Sequence, residues 1–322
     1  MRVAVLTSGG DAPGMNAAIR AVARSAIYKG WDVFGIERGY QGLLEGAFKQ
    51  IGLRDVGGII GAGGTVLGSS RSPEFQTPEG RTTALRQLHE KKINALVIIG
   101  GNGSQKGTFS LSQMGFPVVG VASTIDNDLY GSEITIGVDT ALNVALEAID
   151  RIKVTASSHR RVFAIEVMGR DCGYLALMAG IAGGAEVIII PEIAFDIEKM
   201  VSDIQDIYSK GKPHAIIVTA EGASYNAGAL SHYFSNNSAL SGFELRTTVL
   251  GYVQRGATPG LFDRILATRL GVTAVEAIAQ KNYGVLVGYH KSEMAITPLE
   301  IVVSRKKELD LNLIKVAEIL AR

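Results

Sequence analysis

The sequence predicts an α/β architecture with mostly parallel sheets and right-handed crossovers. Three observations predict it. Apolar runs of strand length recur along the chain and are continuous rather than alternating, as in strands covered on both faces. Segments with helical spacing lie between them, and strand then helix, repeated, is the pattern of a parallel sheet. Glycine clusters follow the apolar runs, where the carboxyl ends of parallel strands gather and ligands bind.

The first run, "RVAVLT" at residues 2–7, leads through "SGGDAPG" into a helix over 16–28 whose Ile19, Val22, Ala23 and Ile27 form one apolar stripe. "ALVIIG" at 95–100 and "PVVGVA" at 117–122 are strands, the first followed by "GNGSQKG" and the second by "STIDNDLYG" at 123–131. "ALNVALEAIDRIK" at 141–153 has helical spacing. Three more strands are "VFAIEV" (162–167), "EVIIIP" (186–191) and "AIIVTA" (215–220). A helix over 263–280 precedes a last strand, "GVLVGY", at 284–289. Pro/Ser-rich linkers, repeats and low-complexity segments are absent. A division of 322 residues into two domains therefore rests on length and topology.

Composition excludes several classes. A formal net charge of +1 gives no whole-chain footprint for nucleic acid or a membrane surface. The single cysteine, Cys172, excludes an intramolecular disulfide and a thiolate metal cluster and favours a reducing cytosol. The amino-terminal stretch lacks the apolar core and cleavage site of a signal peptide, and no run approaches the ~18 to 20 apolar residues of a spanning helix. The expectation is a cytoplasmic protein.

Glycine contributes 39 residues, well above the ~7% of an average protein. The excess lies in "TSGGDAPG", "GAGGTVLGS", "GGNGSQKG", "MGRDCG" and "GYVQRGATPG". Glycine lets backbone N–H groups turn toward an anion and lets phosphates come close. Tight turns alone would use glycine too, but five such loops carrying Arg, Asp or Asn favour phosphate binding. The G-x-x-x-x-G-K-[ST] loop and the G-x-G-x-x-G fingerprint are both absent, which argues against a P-loop NTPase and a dinucleotide-binding dehydrogenase.

In "STIDNDLYG", Asp126 and Asp128 stand two apart, so an extended chain points both to one side. Carboxylates that close repel unless a cation is shared between them. A general base beside a metal-bound phosphate fits the pair, as would a solvated turn with an Asx cap. Arg161, Arg170, Arg246 and Arg255 end short motifs, two of them against glycine, and arginine is the residue expected for bidentate phosphate recognition.

These motifs together resemble the ATP-dependent 6-phosphofructokinases of bacteria over nearly the whole chain. The resemblance is carried by "LTSGGDAPGMNAAIR", "GGT" with "PEF", "TIDND", "SSHRR", "EVMGRDCG", "AEG", "TVLGYVQRG" and "DRILATRLG". It implies two three-layer α/β/α domains with mostly parallel sheets. Residues 1–137 plus about 252–300 would bind ATP, and 138–251 plus about 301–322 fructose 6-phosphate. By the same resemblance Gly10 approaches the nucleotide phosphates, Arg71 and Ser72 reach the phosphates and transferring group, and Gly101, Asn102, Gly103 and Ser104 carry the ATP. Asp126 is the base toward the sugar 1-hydroxyl, Thr124 contacts the phosphoryl group, and Asp128 with position 102 lies near Mg²⁺. Met168, Gly169, Arg170, Glu221, Tyr252 and Arg255 hold fructose 6-phosphate. Arg161 and Arg246 match residues that reach across from a neighbouring subunit, which implies a homotetramer. Arg20, Arg24, Lys153, Glu186, Lys210, Lys212 and His214 fall where the family binds ADP or phosphoenolpyruvate as effector between subunits; Arg20 and Arg24 are also an ordinary i, i+4 helix pair.

The chain departs from the family pattern at ligand-facing positions. "GGDGS" has become "GGNGS", so Asn102 offers hydrogen bonds but no charge toward a hard cation. Ser123 stands for the glycine before "TIDND", Val121 or Ala122 for a proline, Tyr252 for a histidine and Ala257 for a glycine. These changes admit two alternatives, a weakly active or inactive regulatory paralogue and a pyrophosphate-dependent enzyme. The retained Asp126 and arginines argue against the first, and Gly103, which leaves room for a nucleotide, against the second.

Overall fold

The structure, a computed structural model, describes residues 1–237 and 242–320. The chain divides into two compact units, Met1–Thr140 with Arg255–Lys307, and Ala141–Gln254 with the segment from Glu308 onward. The first unit contains β1 (Arg2–Thr7), α1 (Met15–Tyr28), β2 (Asp32–Ile36), α2 (Gly39–Glu45), β3 (Phe48–Ile51), α3 (Pro78–Glu90), β4 (Ala95–Gly100), α4 (Asn102–Gln113) and β5 (Val118–Ala122). Helix α5 (Val138–His159) carries the chain onward. The second unit holds β6 (Val162–Val167), α6 (Tyr174–Ala182), β7 (Val187–Ile189), α7 (Ile197–Ser209), β8 (Ala215–Ala220), α8 (Ala227–Asn236) and β9 (Leu245–Val249). The chain then returns to the first unit with α9 (Leu261–Ala279), β10 (Val285–His290), β11 (Glu293–Pro298) and α10 (Leu299–Ser304), and α11 (Asn312–Leu320) belongs to the second.

The first sheet runs β11-β10-β5-β4-β1-β2-β3, parallel except for the antiparallel edges β2–β3 and β10–β11. The second, β7-β8-β6-β9, is parallel throughout. Both agree with the α/β architecture read from the sequence. The continuous apolar runs have their predicted cause: every residue of β4, β5 and β8 is buried. A fully buried Leu, Ile or Val is worth roughly 1.5–3 kcal/mol, so these three strands supply much of the core. Helix α1 buries Ile19, Val22 and Ala23 of its predicted stripe, with Ala26 buried beside them and Ile27 only half-buried, and its main helical neighbour is α9. Among the described residues no helix is long and apolar enough to cross a membrane.

Sheet order also locates the candidate site. From β1 the chain first builds outward through β2 and β3, then crosses back to β4 on the other side. The carboxyl ends of β1 and β4 thus flank a topological switch point, where an open α/β sheet leaves a crevice. The segments leaving that edge are 8–14 after β1, Gly101 into α4 after β4, and 123–131 after β5.

Candidate active site

In the first unit, the 8–14 turn is held against residues 61–69. The buried Asn16 side chain donates from Nδ2 to the Ala62 and Gly63 carbonyls, both at 3.1 Å, and accepts from Val66 N–H at 2.7 Å. Ser69 Oγ donates to the Gly9 carbonyl at 2.7 Å. Arg255 lies over Gly10, where a Cβ would collide with its guanidinium, and its Nε reaches the Asp11 carboxylate and carbonyl, each at 3.3 Å. Gly10 is therefore needed for the approach of an arginine as well as for any phosphate. Arg71 is exposed, and Ser72 Oγ accepts from Phe75 N–H at 3.3 Å.

The stretch after β4, expected as a glycine loop, is the first turn of a helix. Only Gly101 separates Gly100 from α4, and Asn102, Gly103 and Ser104 are already helical. The first intrahelical bond to Gly101 comes from Gln105 N–H, so the three preceding N–H groups point out of the helix end. With no acidic residue in the first turn and no side-chain cap, that end presents donors and a positive dipole to an anion. Two buried side chains fix it. Tyr40, stacked on Phe75 at 4.0 Å between ring centroids, donates to the Ser104 carbonyl at 2.7 Å. Burial pushes its phenol well above the ordinary range, so it stays a donor. Gln105 Nε2 donates to the carbonyls of Gly100 (2.9 Å) and Val121 (3.3 Å), tying the ends of β4 and β5 together.

Along 123–129 burial alternates. Ser123, Ile125, Asn127 and Leu129 are buried, whereas Thr124, Asp126 and Asp128 are half-buried on the other side, as the i, i+2 spacing predicts. Thr124 Oγ1 accepts from Asp126 N–H at 3.2 Å. Ser123 Oγ is buried without a hydrogen-bond partner among the described residues. Asn102 Nδ2 donates to the Asp128 carbonyl at 3.2 Å, an orientation that leaves Oδ1 as a neutral acceptor. Among the described residues no three His, Cys, Asp or Glu side chains converge to hold a metal. One or two carboxylates suit Mg²⁺ that arrives on phosphate oxygens and keeps its waters. The residues present fit an ion of that kind.

In the second unit, the turn after β6 is folded tightly. Gly169 has φ +140°, and a Cβ there would collide with the Cys172 carbonyl. Arg170, at φ +51°, donates its N–H to Glu221 Oε1 at 2.9 Å, and Met168 N–H donates to Oε1 of the buried Gln254 at 2.9 Å. Four expected substrate residues are thus brought together at the ends of β6 and β8. Tyr252 is 76% exposed. Arg161 and Arg246 both pair with Glu244, the former at 2.6 Å.

The expected effector residues divide between the two units. Glu186 pairs with Lys212 and accepts from Ile216 N–H at 2.6 Å, and the charges of Glu186, Lys212 and Lys153 all act on His214. Burial holds the His214 imidazole below its usual value. Lys210 is turned away to Asp206 at 2.6 Å, the i, i+4 pair of a helix face. Arg20 and Arg24 lie on α1 in the first unit, where Arg24, Tyr28, Lys29 and Leu53 line a groove of about 550 Å³.

Sequence reasoning missed Asn16, Tyr40, Gln105, Asn127, Thr135, Gln254 and Asp263. These buried polar side chains are committed to partners at no fixed separation, from Gln105 with the nearby Gly100 to Asp263 with the distant Gly137, and nothing in their local sequence signals this. Asp263 is fully buried and accepts from Gly137 N–H (2.8 Å), Thr140 N–H (2.8 Å) and Thr140 Oγ1 (2.6 Å).

A doubly wound sheet whose strand ends carry an open helix N-terminus and a pair of aspartates defines an α/β protein that handles phosphorylated ligands. The phosphofructokinase family profile matches residues 2–278, and the chain belongs to that family. It is 50% identical to the ATP-dependent 6-phosphofructokinase 1 of Thermus thermophilus, covering 99% of both chains. It is 49% identical to the ATP-dependent 6-phosphofructokinase of Clostridioides difficile, again over 99% of each. The solved phosphofructokinase of Saccharomyces cerevisiae superposes with a TM-score of 0.85 at 39% identity, covering 94% of this chain and 45% of the yeast chain. A pyrophosphate-dependent phosphofructokinase from Marinobacter aquaeolei superposes equally well, at 0.85, but is only 24% identical and shares the fold alone.

Proposed function

We propose that the protein transfers the γ-phosphoryl group of ATP to the 1-hydroxyl of fructose 6-phosphate, giving fructose 1,6-bisphosphate and ADP, in glycolysis. Similarity over 99% of two curated ATP-dependent enzymes supports the donor and acceptor. The observation that carries the site assignment is the alternation along 123–129, which leaves Thr124, Asp126 and Asp128 on the open side.

In this reading the first unit takes the nucleotide and the second the sugar phosphate. The N–H groups of Asn102, Gly103 and Ser104 bind phosphate oxygens. Arg71 and Ser72, with Gly10, complete the donor set, and Arg71 and Arg170 offset the charge that spreads over the transferring oxygens. Asp126 accepts the proton of the 1-hydroxyl as its oxygen forms the new bond to phosphorus and the bond to the ADP oxygen breaks. Asp128, with the neutral Oδ1 of Asn102, would hold Mg²⁺ brought by the nucleotide; the ion neutralises phosphate charge. Met168, Gly169, Arg170, Glu221 and Tyr252 orient the sugar phosphate, with Arg161, Arg246 and Arg255 adding positive charge. Glu186, Lys212, His214 and Lys153, together with Arg20, Arg24 and Lys210, serve an ADP or phosphoenolpyruvate effector in a cytoplasmic homotetramer.

The test is formation of fructose 1,6-bisphosphate by purified protein with fructose 6-phosphate and Mg²⁺, comparing ATP with pyrophosphate. Turnover with ATP is expected. Turnover with pyrophosphate alone reverses the donor assignment. Intact sugar-phosphate binding without turnover on either donor favours a regulatory paralogue, the reading that Asn102 admits.

A further inference from the structure

Between the two aspartates of the 123–131 segment stands a residue that faces away from the open side. Asn127 is 2% exposed and takes φ +53°, a left-handed conformation that asparagine adopts more readily than most residues. Its Nδ2 donates to the Glu133 carbonyl at 3.1 Å, and its Oδ1 accepts from Thr135 N–H at 3.2 Å. The Thr135 hydroxyl, 3.4 Å from the same Oδ1, makes its short bond, 2.6 Å, to the Thr124 carbonyl. The segment that follows is fixed in turn: Ile136 N–H donates to the Ala122 carbonyl at 3.1 Å, and Gly137 N–H to Asp263 at 2.8 Å.

We propose that Asn127, with Thr135, is a positioning residue that aims the carboxylates of Asp126 and Asp128. The bonds close the 124–135 loop from inside and set the backbone direction on both sides of position 127. The side chain must be both donor and acceptor. Aspartate would turn an acceptor toward the Glu133 carbonyl and add a third negative charge beside Asp126 and Asp128. Glycine would keep the left-handed turn but lose both bonds. This inference rests on Asp126 acting as the base.

The test uses the full chain in the ATP and fructose 6-phosphate reaction, with thermal melting and fructose 6-phosphate binding measured on each variant. Asn127→Gly is expected to fold and bind fructose 6-phosphate within about threefold of the parent. Its kcat should fall about 100-fold, the scale of a misplacement near 1 Å. Thr135→Val should lose kcat in the same direction, and Thr135→Ser should restore it, because serine keeps the hydroxyl that meets the Thr124 carbonyl. Asp126→Ser is run in parallel. An inactive Asp126→Ser alongside Asn127→Gly and Thr135→Val with parental kcat overturns the positioning role while leaving the base assignment standing. Parental kcat in Asp126→Ser overturns the base assignment and the inference resting on it. A drop in melting temperature with kcat per folded molecule unchanged also overturns it. If Asn127→Gly does not fold, Thr135→Val and Thr135→Ser, which leave position 127 intact, decide the question.

Discussion

Single residues decide how charge is distributed around the 123–131 segment. Asp126 lies on its open side and is the general base of the proposed reaction, a role whose removal typically costs 10²- to 10⁴-fold. Asp126→Ser is expected to lower kcat within about that range while fructose 6-phosphate binding by calorimetry stays close to the parent; lost binding with unchanged turnover would sink the assignment. Asn102 is the more unusual residue, because its amide donates to the Asp128 carbonyl and a carboxylate could not. In Asn102→Asp the added charge should lower the Mg²⁺ concentration for half-maximal rate. The lost hydrogen bond, worth about 1 kcal/mol, should keep kcat from rising with it. A Mg²⁺ titration that does not move would place residue 102 away from the ion.

Elements are anchored by caps and by buried acceptors. Asp196 caps α7, accepting from Glu198 and Lys199 N–H at 3.0 Å each. Asp196→Ala should cost about 1 kcal/mol of stability in denaturant unfolding. At the start of α5, Asp263 ties Gly137 and Thr140 to α9, and Asp263→Ala, which orphans three donors, should cost about 3 kcal/mol. Burial raises the Asp263 pKa above 3.8, outweighing its hydrogen bonds. Because the folded protein holds this proton more tightly than the unfolded chain, the stabilisation is present below pH 3.8 and is lost as pH rises through the raised value. Wild-type stability relative to Asp263→Asn should therefore decline over that window and then level. A flat difference would mean that Asp263 titrates alike in both states.

At the scale of the molecule, a net charge of +1 supplies no long-range attraction for a phosphorylated sugar. Affinity must come from local convergence, which the proposed function assigns to the 168–170 turn against Glu221. Fructose 6-phosphate at 100 times its Kd should stabilise the protein by about 2.7 kcal/mol. Arg170→Ala should remove most of that shift at the same concentration. An undiminished shift, read by thermal melting, would place the sugar phosphate elsewhere.

The sequence by itself determined the class of fold and the family, and it supplied the side chains to which the proposed function assigns chemistry. Continuous apolar runs of strand length, alternating with helical segments, suit a sheet buried on both faces, and "TIDND" and "SGGDAPG" carry the family resemblance in the order of their residues. Less visible were β2, β3, β9 and β11, short or half-exposed strands, three of them at sheet edges, without a continuous apolar run. Helix α4 was hidden by its own composition, since "NGSQKG" reads as a loop until Tyr40 and Gln105 are seen to hold it. Only the tertiary structure decided that Asn102 would meet Asp128, that Lys210 would turn to Asp206 rather than join Glu186, and that Asp263 would anchor a turn 126 residues earlier in the chain. The reason is physical: the free energy of a buried polar group depends on which partner packing brings within hydrogen-bond reach, and that partner has no fixed distance along the sequence.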